Sequence, residues 1–398
     1  MSLTLNIQQR NKVLSRMAEL VKNEKNIILQ ANKMDMNAYV GDDLAMRDRL
    51  KVDNSKIDGM ILSLHQLASQ SDPLGVELFS FTHENGIQVS NKTAPFGTVC
   101  IIYESRPDVT IESAGIAFKS GNKILLKGGK ESLQSNLALV NLWHQALMEN
   151  ECAKDWVTYL EFNRVQTQEF LQSPTQKIDL IVPRGGEKLI AFVKQHATCP
   201  VIISGRGNNF VYIETEADLE MAIAIIINAK TTKISACNAL DKVLIAADIP
   251  RKHEFLQQLI QELKKSGVEI FTDNFLSDIK DTTEIKNESI WFEEFLDYKI
   301  VIGQVANLEE AIYKINTYGG GHSAAIITSN SEKAEAFMEA VDSAAVYHNA
   351  STRFTDGFEF GLGGELAIST DKLHQRGPIG LKHLVTNKWY VKGNGQTR

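Results

Sequence analysis

The sequence predicts an α/β protein of two parallel-sheet domains, each with its own core, and a small extended arm. Strand-like and helix-like segments alternate from residue 99 to 127 and again from 242 to 347, an interval that calls for parallel strands joined by right-handed crossovers. The length, 398 residues, exceeds what one ordinary core serves. Two further strand-like segments, 87–92 and 388–391, fall outside both alternations and supply the arm.

With 43% hydrophobic and 23% charged residues, the composition is that of a soluble globular chain. A net charge of −7 argues against nucleic acid as the main partner, which needs a basic face, but leaves room for a local basic pocket that takes a small anion. No apolar run reaches the ~18 residues of a membrane span. The opening MSLTLNIQQRNKVLSRMAEL is charged and helical in pattern, with no signal-peptide core. Cys100, Cys152, Cys199 and Cys237 are scattered, with no CxxC and no metal-ligand spacing. The expectation is a reducing cytoplasm, no structural disulfide and no metal.

Taken in order, residues 6–70 read as helices, because Val13, Met17, Leu20 and Val21, then Ile57, Met60, Ile61, Leu64 and Leu67, recur at helical spacing. A turn at 72–75 leads to the alternating strand 87–92, read as an arm whose edge another subunit covers. Strand 99–103, loop 104–108, helix 109–119 and strand 123–127 form a βαβ unit, the helix stopping at Ser120-Gly121-Asn122. Ligands of such sheets bind at the carboxyl ends of the strands. The glycine pair after strand 123–127 allows close backbone approach, and Lys127 and Lys130 offer cations to a phosphate. The plain alternative is an ordinary turn with solvated lysines. Strand 178–182 runs through Pro183-Arg184-Gly185-Gly186 into helix 187–196, whose first N–H groups make an anion site. Gly205-Arg206-Gly207 begins like a dinucleotide fingerprint, but Phe210 stands where the third glycine belongs, and strand-like segments (201–204 and 210–213) flank it, so it is rejected.

Residues 228–245 hold the stretch around which the chain is organised. An apolar helix ends, a short polar loop carries Cys237, and a buried strand, 242–246, follows. Loops held by rigid elements are where reactive side chains sit. Lys230 and Lys233 precede the thiol, and nearby ammonium groups favour the nucleophilic thiolate. The alternative is a small buried hydrophobe. Beyond it, helix 252–266, strand 268–271, strand 299–303, helix 308–316, strand 324–328, helix 332–341 and strand 344–347 complete a second domain. Residues 273–290 are polar and acidic and read as a surface connection. The glycine-rich stretches 318–323 and 349–365 have the composition of functional loops. The division expected is 1–230 with the arm at about 84–94, 231–360 around Cys237, and 361–398 returning to the first domain.

The motifs YESRPDV, LLKGGKES, VPRGG, NAK with CNA, YGGGHSAAI and NASTRFTDGFEFGLGGELAISTDKLHQRGPIGLKHL resemble the gamma-glutamyl phosphate reductase family, also called glutamate-5-semialdehyde dehydrogenases, within the aldehyde dehydrogenase superfamily. The resemblance covers roughly residues 8 to 390. It implies an aldehyde dehydrogenase-like fold of two Rossmann-type domains, with 1–230 binding the cofactor, 231–360 catalytic, and 361–398 returning to the cofactor domain and ending in an oligomerisation arm. It also implies NADPH-dependent reduction of L-glutamate 5-phosphate to L-glutamate 5-semialdehyde with release of phosphate, in proline biosynthesis. The catalytic cysteine falls on Cys237. Cofactor contacts fall on Glu104, Ser105, Arg106 and Pro107, on Lys127, Gly128, Gly129 and Lys130, on Arg184, Gly185 and Gly186, and on Glu294 in WFEEFL. In the wider superfamily a glutamate at the Lys130 position often holds the ribose 2′-hydroxyl of NAD; a cation there suits a 2′-phosphate, hence NADPH.

The chain departs from the family where QRPxxCNA is usual: it reads Thr232-Lys233-Ile234-Ser235-Ala236-Cys237-Asn238-Ala239, and Asn209-Phe210 replaces the usual Cys-His. For catalysis, the main-chain N–H of Cys237 and the side chain of Asn238 are the oxyanion donors to weigh. The glutamate that activates water in oxidising relatives, some thirty residues before the cysteine, has no counterpart in Gly205-Arg206-Gly207-Asn208-Asn209, which suits a reductase. For the substrate's carboxylate and phosphate the candidates are Arg353 and Arg106, with Arg376 third, against the alternative of surface cations or structural ion pairs. His322 and Asn349 join them as pocket residues. A homodimer and functional coupling to glutamate kinase are expected. The competing readings are a non-phosphorylating, NAD(P)-dependent semialdehyde dehydrogenase and a catalytically silent scaffold of the same fold.

Overall fold

The computed structural model describes residues 5–273 and 279–398. The first four residues of the N-terminal helical reading, and 274–278 of the 273–290 connection, lie outside them. The chain divides into two compact units: residues 1–203, 361–367 and 379–398 form the first, and 204–360 with 368–378 the second.

In the first unit four parallel strands lie in the order Val157–Tyr159, Lys123–Lys127, Thr98–Tyr103, Leu180–Arg184. Because successive strand residues point to opposite faces, each strand feeds two cores. Val99, Ile101, Ile124, Leu126, Leu180 and Val182 pack with helices Ile7–Asn23, Asn54–Ser69, Val109–Lys119 and Leu133–Glu149. Cys100, Ile102, Leu125 and Ile181 pack on the other face, beneath Arg164–Gln172 and Glu187–His196. The strand order reverses beside Thr98–Tyr103, so the loops after Tyr103 and Arg184 diverge at one edge, the place such sheets offer to ligands.

The arm is a three-stranded antiparallel sheet, Gln88–Pro95 between Glu77–Thr82 and Val385–Lys392. The 87–92 and 388–391 segments pair with each other within one chain, Lys92 opposite Lys388 and Ser90 opposite Tyr390. An antiparallel ladder needs only that the C-terminus return to the first unit, which it does at residue 379.

The second unit holds seven parallel strands in the order Thr283–Glu284, Glu269–Thr272, Lys299–Val305, Leu240–Ala246, Asn209–Ile213, Ser323–Ile327, Ala345–His348. Val211, Ile213, Val243 and Ile245 face helices Leu219–Thr231 and Lys252–Lys265. Phe210, Tyr212, Leu244 and Ala246 face Leu308–Tyr318 and Ser331–Ala340. Two expectations are corrected here. The first unit ends at 203, not 230, because Asn209–Ile213 pairs with Leu240–Ala246 and Ser323–Ile327, partners far along the chain. The 201–204 segment is no strand: it makes only isolated bridges, Val201 to Ile181 and Ser204 to Ser369. The 273–290 connection lies at the surface as expected, its described residues exposed or half-buried, with Thr283–Glu284 forming the exposed edge strand of the sheet.

Candidate functional site

Helix Leu219–Thr231 ends where threonines compete for its last carbonyls: Thr231 Oγ1 donates to Ile227 O at 2.7 Å and Thr232 Oγ1 to Asn228 O at 2.7 Å. Two tight turns follow, Ala236 N to Lys233 O and Ala239 N to Ala236 O, before Leu240–Ala246 begins. Cys237 stands in the second turn, partly exposed and in no disulfide.

The loop is held by its main chain. Asn209, fully buried, donates from Nδ2 to Cys237 O at 2.7 Å and Ala239 O at 2.6 Å, while its Oδ1 accepts from Ser323 N at 3.0 Å. Gly207 N donates to Glu294 Oε1 at 2.9 Å, and any side chain at Gly207 would collide with the Cys237 carbonyl. Asn208 Nδ2 reaches Trp291 O at 2.8 Å and Tyr318 O at 2.7 Å. On the other side Asn238 Nδ2 donates to Arg353 O at 3.2 Å and Thr355 O at 3.0 Å, and Thr352 Oγ1 returns a bond to Asn238 O at 2.8 Å. The structure therefore brings Cys237, Asn238, Glu294 and Arg353 together through loops from four parts of the second unit. Arg353 Nε is enclosed and makes no hydrogen bond.

Other expectations are placed differently. Lys230 is buried with its ammonium on Asp241 at 3.1 Å, so its charge is committed within the core and does not serve the thiol as expected. Lys233 is exposed on the loop. Asn349 uses both side-chain atoms on Thr328, accepting from its N at 3.0 Å and donating to its O at 2.9 Å; it shapes the loop after Ala345–His348 and is not turned toward a ligand. Arg376 pins Asp342 at 2.7 Å, the structural ion pair weighed against a ligand role. His322 is buried: Nδ1 meets Ser323 Oγ at 2.8 Å, that hydroxyl meets Thr355 Oγ1 at 2.7 Å, and Thr355 Oγ1 meets the Tyr347 hydroxyl at 2.6 Å. Burial holds its imidazolium pKa at about 4, below the ordinary 6.5. The unfolded chain then binds a proton between these values that the folded chain refuses. Stability should fall as pH drops from 6.5 toward 4, by at most ~3 kcal/mol from this group. Urea titrations across that range on wild type and His322→Gln check it: the wild type should show the steeper decline.

Asn208 and Asn209 were missed as positioning groups. Two adjacent asparagines between a glycine loop and a strand are a signal for side-chain-to-backbone bonding, but one without an address until the fold supplies the acceptors.

In the first unit the expected cofactor residues converge on the carboxyl edge of the sheet. Glu104 N donates to Arg184 O at 3.2 Å, and Gly186 N donates to Glu104 Oε2 at 3.1 Å. Thus the anion site at the start of Glu187–His196 already holds a carboxylate of the chain itself. Ser105 Oγ donates to Glu131 Oε2 at 3.3 Å, Arg106 pairs with Asp108 at 3.0 Å, and Pro107 is buried. Lys127 Nζ donates to Gly128 O at 2.7 Å; partial burial lowers its ammonium pKa. A side chain at Gly128 would collide with the Asn136 amide, whereas one at exposed Gly186 would meet only the Glu104 carboxylate, at 4.0 Å, and Lys130 is exposed. Among the described residues no cluster of His, Cys, Asp and Glu is placed to hold a metal, and no helix is long and apolar enough to cross a membrane.

Comparison with known proteins places these features among relatives. Residues 3–275 and 286–389 match the aldehyde dehydrogenase family. The gamma-glutamyl phosphate reductase of Clostridium botulinum is 41% identical over 392 residues, covering 98% of this chain and 94% of its own. The crystal structure of the Thermotoga maritima gamma-glutamyl phosphate reductase superposes with a TM-score of 0.94 at 39% identity, covering 99% of this chain and 95% of that one. An engineered glycolyl-CoA reductase with bound NADP+ shares the fold at 16% identity, with a TM-score of 0.70 and 98% and 93% of the two chains covered.

Proposed function

The chain belongs to the aldehyde dehydrogenase family, in its gamma-glutamyl phosphate reductase branch, and on that premise we propose that it reduces L-glutamate 5-phosphate to L-glutamate 5-semialdehyde, releasing phosphate, in proline biosynthesis. One observation carries the reading: Cys237 is partly exposed, and the side chain of its neighbour Asn238 donates to the main-chain carbonyl of Arg353, whose enclosed Nε makes no protein hydrogen bond.

In this reading the Cys237 thiolate attacks the acyl carbon, the bond to the phosphate oxygen breaks, and a thioester remains on Cys237. When bound, NADPH supplies hydride to the thioester carbon. Collapse of the resulting thiohemiacetal frees the aldehyde and restores the thiolate. Of the two oxyanion donors weighed, the Asn238 amide already gives its hydrogens to two carbonyls, so we assign the Cys237 main-chain N–H to the oxyanion and Asn238 to positioning the loop. The residues that suit the cofactor are Ser105, Arg106, Pro107, Lys127, Gly128, Gly129, Lys130, Arg184, Gly185 and Gly186, with Glu294 as the second unit's candidate. Gly186 presents an amide that already holds an anion, so Glu104 must yield it to a phosphate. Exposed Lys130 favours the 2′-phosphate of NADPH. The acyl phosphate is short-lived, so a glutamate kinase must deliver it. The arm exposes Leu78, Phe79, Phe81, Trp389 and Val391, a surface a second copy of the chain would cover. Four cysteines without a disulfide suit a cytoplasmic location.

Arg353→Met should lower kcat/KM for the acyl phosphate about thirtyfold, equivalent to ~2 kcal/mol for a charge-assisted contact, chiefly through KM. Steady-state kinetics in a kinase-coupled assay check it.

A second reading is favoured by Glu294. Residues 205–209, some thirty before Cys237, hold no carboxylate, but the fold brings one to that loop, at Gly207 N. A carboxylate beside the nucleophile's loop is the group that activation of water against a thioester requires, and so suits a non-phosphorylating semialdehyde dehydrogenase. The reverse reaction separates the two. Oxidation of glutamate 5-semialdehyde by NADP+ that requires inorganic phosphate supports the reductase; oxidation at full rate without phosphate overturns it.

A further inference from the structure

Lys242 lies on the Leu240–Ala246 strand, five residues beyond Cys237, and is fully buried. Two buried ammoniums, Lys230 and Lys242, adjoin one buried carboxylate, and that carboxylate, Asp241, is already taken by Lys230 at 3.1 Å. Burial of a second cation without a carboxylate of its own opposes folding, so its place needs another account. The Lys242 ammonium donates to the Glu293 carbonyl at 2.7 Å and lies 4.1 Å from the centre of the Phe295 ring. The Asp241 carboxylate accepts the Phe295 main-chain N–H. The same short segment is fastened from its other side to the loop before Cys237: Asn208 holds Trp291 O, Arg206 Nη1 holds Phe292 O at 3.0 Å, and Glu294 Oε1 accepts from Gly207 N. Residues 291–295 are thus a strap between the nucleophile's strand and its supporting loop, and Glu294 is part of it.

We propose that Lys242 is a positioning residue of the cofactor site: by holding the Glu293 carbonyl and the face of Phe295, its ammonium sets where Glu294 stands against Gly207, from which the carboxylate meets the ribose hydroxyls of a nicotinamide dinucleotide. The inference rests on the reductase reading above. A neutral amine would still donate to Glu293 O, but without charge assistance and without attraction to the ring, so the strap would loosen. Burial pushes Lys242 down to about 7, and the charged groups facing it are Asp241, Lys230, Glu293 and Glu294. Between Lys242 and Glu294 the coupling runs through one peptide unit.

The test is calorimetric titration of NADPH into the wild type, Lys242→Met, Glu294→Gln and the double variant, with thermal midpoints. Lys242→Met should bind NADPH about tenfold more weakly, keep kcat at saturating cofactor within about threefold, and melt no lower than wild type, since a buried charge is gone. Affinity and stability would then move apart, which general damage to the fold does not produce. The double variant should bind no more weakly than Glu294→Gln alone. From about pH 6 to about pH 8.5 the wild type should lose affinity relative to Lys242→Met. Should Lys242→Met not fold, Phe295→Leu, which removes the ring beneath Lys242 together with its contacts to Lys230 and Phe271, should weaken binding about threefold. Wild-type affinity in these variants, or fully additive losses in the double, overturns the proposal. A wild type that neither binds NADPH nor reduces the acyl phosphate instead overturns the reductase reading on which it stands.

Discussion

Replacing Cys237 by serine should lower acyl-phosphate reduction by ~10⁴-fold or more while the fold is kept. The two halves of that expectation have separate causes. A serine hydroxyl is not ionised near neutral pH and is a far weaker nucleophile than a thiolate. The loop, by contrast, is held through main-chain groups: Asn209 grips the carbonyls of residues 237 and 239, and Gly207 packs against the first of them. Serine leaves all of that in place, so the thermal midpoint should stay within about 2 °C of wild type. No other cysteine is placed to take over. Burial pushes the Cys100 thiol up to about 12 and raises Cys152 and Cys199 as well. The measurement is NADPH oxidation coupled to glutamate kinase, with a melt on the same sample. Turnover within tenfold of wild type would move the nucleophile elsewhere.

Asn209→Ala should be the most damaging single change away from the thiol: a loss on the order of 3–5 kcal/mol of stability and more than ~100-fold in kcat/KM. Asn209 is fully buried and makes three hydrogen bonds, two given and one received. Alanine leaves the carbonyls of 237 and 239 and the Ser323 N–H without this partner, at ~1–3 kcal/mol for each buried polar group so stranded. It also releases the turn that aims Cys237. Asn209→Asp separates the parts, since it keeps an acceptor for Ser323 N but sets a carboxylate against two carbonyl oxygens, and should be no better than alanine. Urea midpoints with kinetics at a temperature where the variant stays folded provide the check; an alanine variant as stable and active as wild type would remove Asn209 from the site.

Several element boundaries were legible because punctuation in the sequence coincides with the physics that ends them. The 109–119 helix stops at Ser120-Gly121, where Gly121 takes a φ of +75°, and the 187–196 helix starts after Gly186. An unbroken apolar run marked the strands that feed two cores, as in Val99, Ile101 and Tyr103 against Cys100 and Ile102. The 201–204 segment was misread because its branched residues satisfy the same pattern without a neighbouring strand in register. The boundary at 203 was misplaced because nothing local to Asn209–Ile213 reveals that its ladder partners lie near 240 and 323.

The candidate site divides the same way. The cysteine loop, the glycine turns at the sheet edge and the arginine of the 349–365 stretch were visible in the chain, since each depends on residue type and on the elements beside it. That Lys230 answers Asp241, that Asn209 holds the nucleophile's turn, and that Glu294 meets Gly207 were decided only in three dimensions. Local pattern determines which segments become strand, helix and loop because burial acts on neighbours along the chain. The partner of a buried polar group is chosen by packing among distant segments, and the chain order carries no record of that choice.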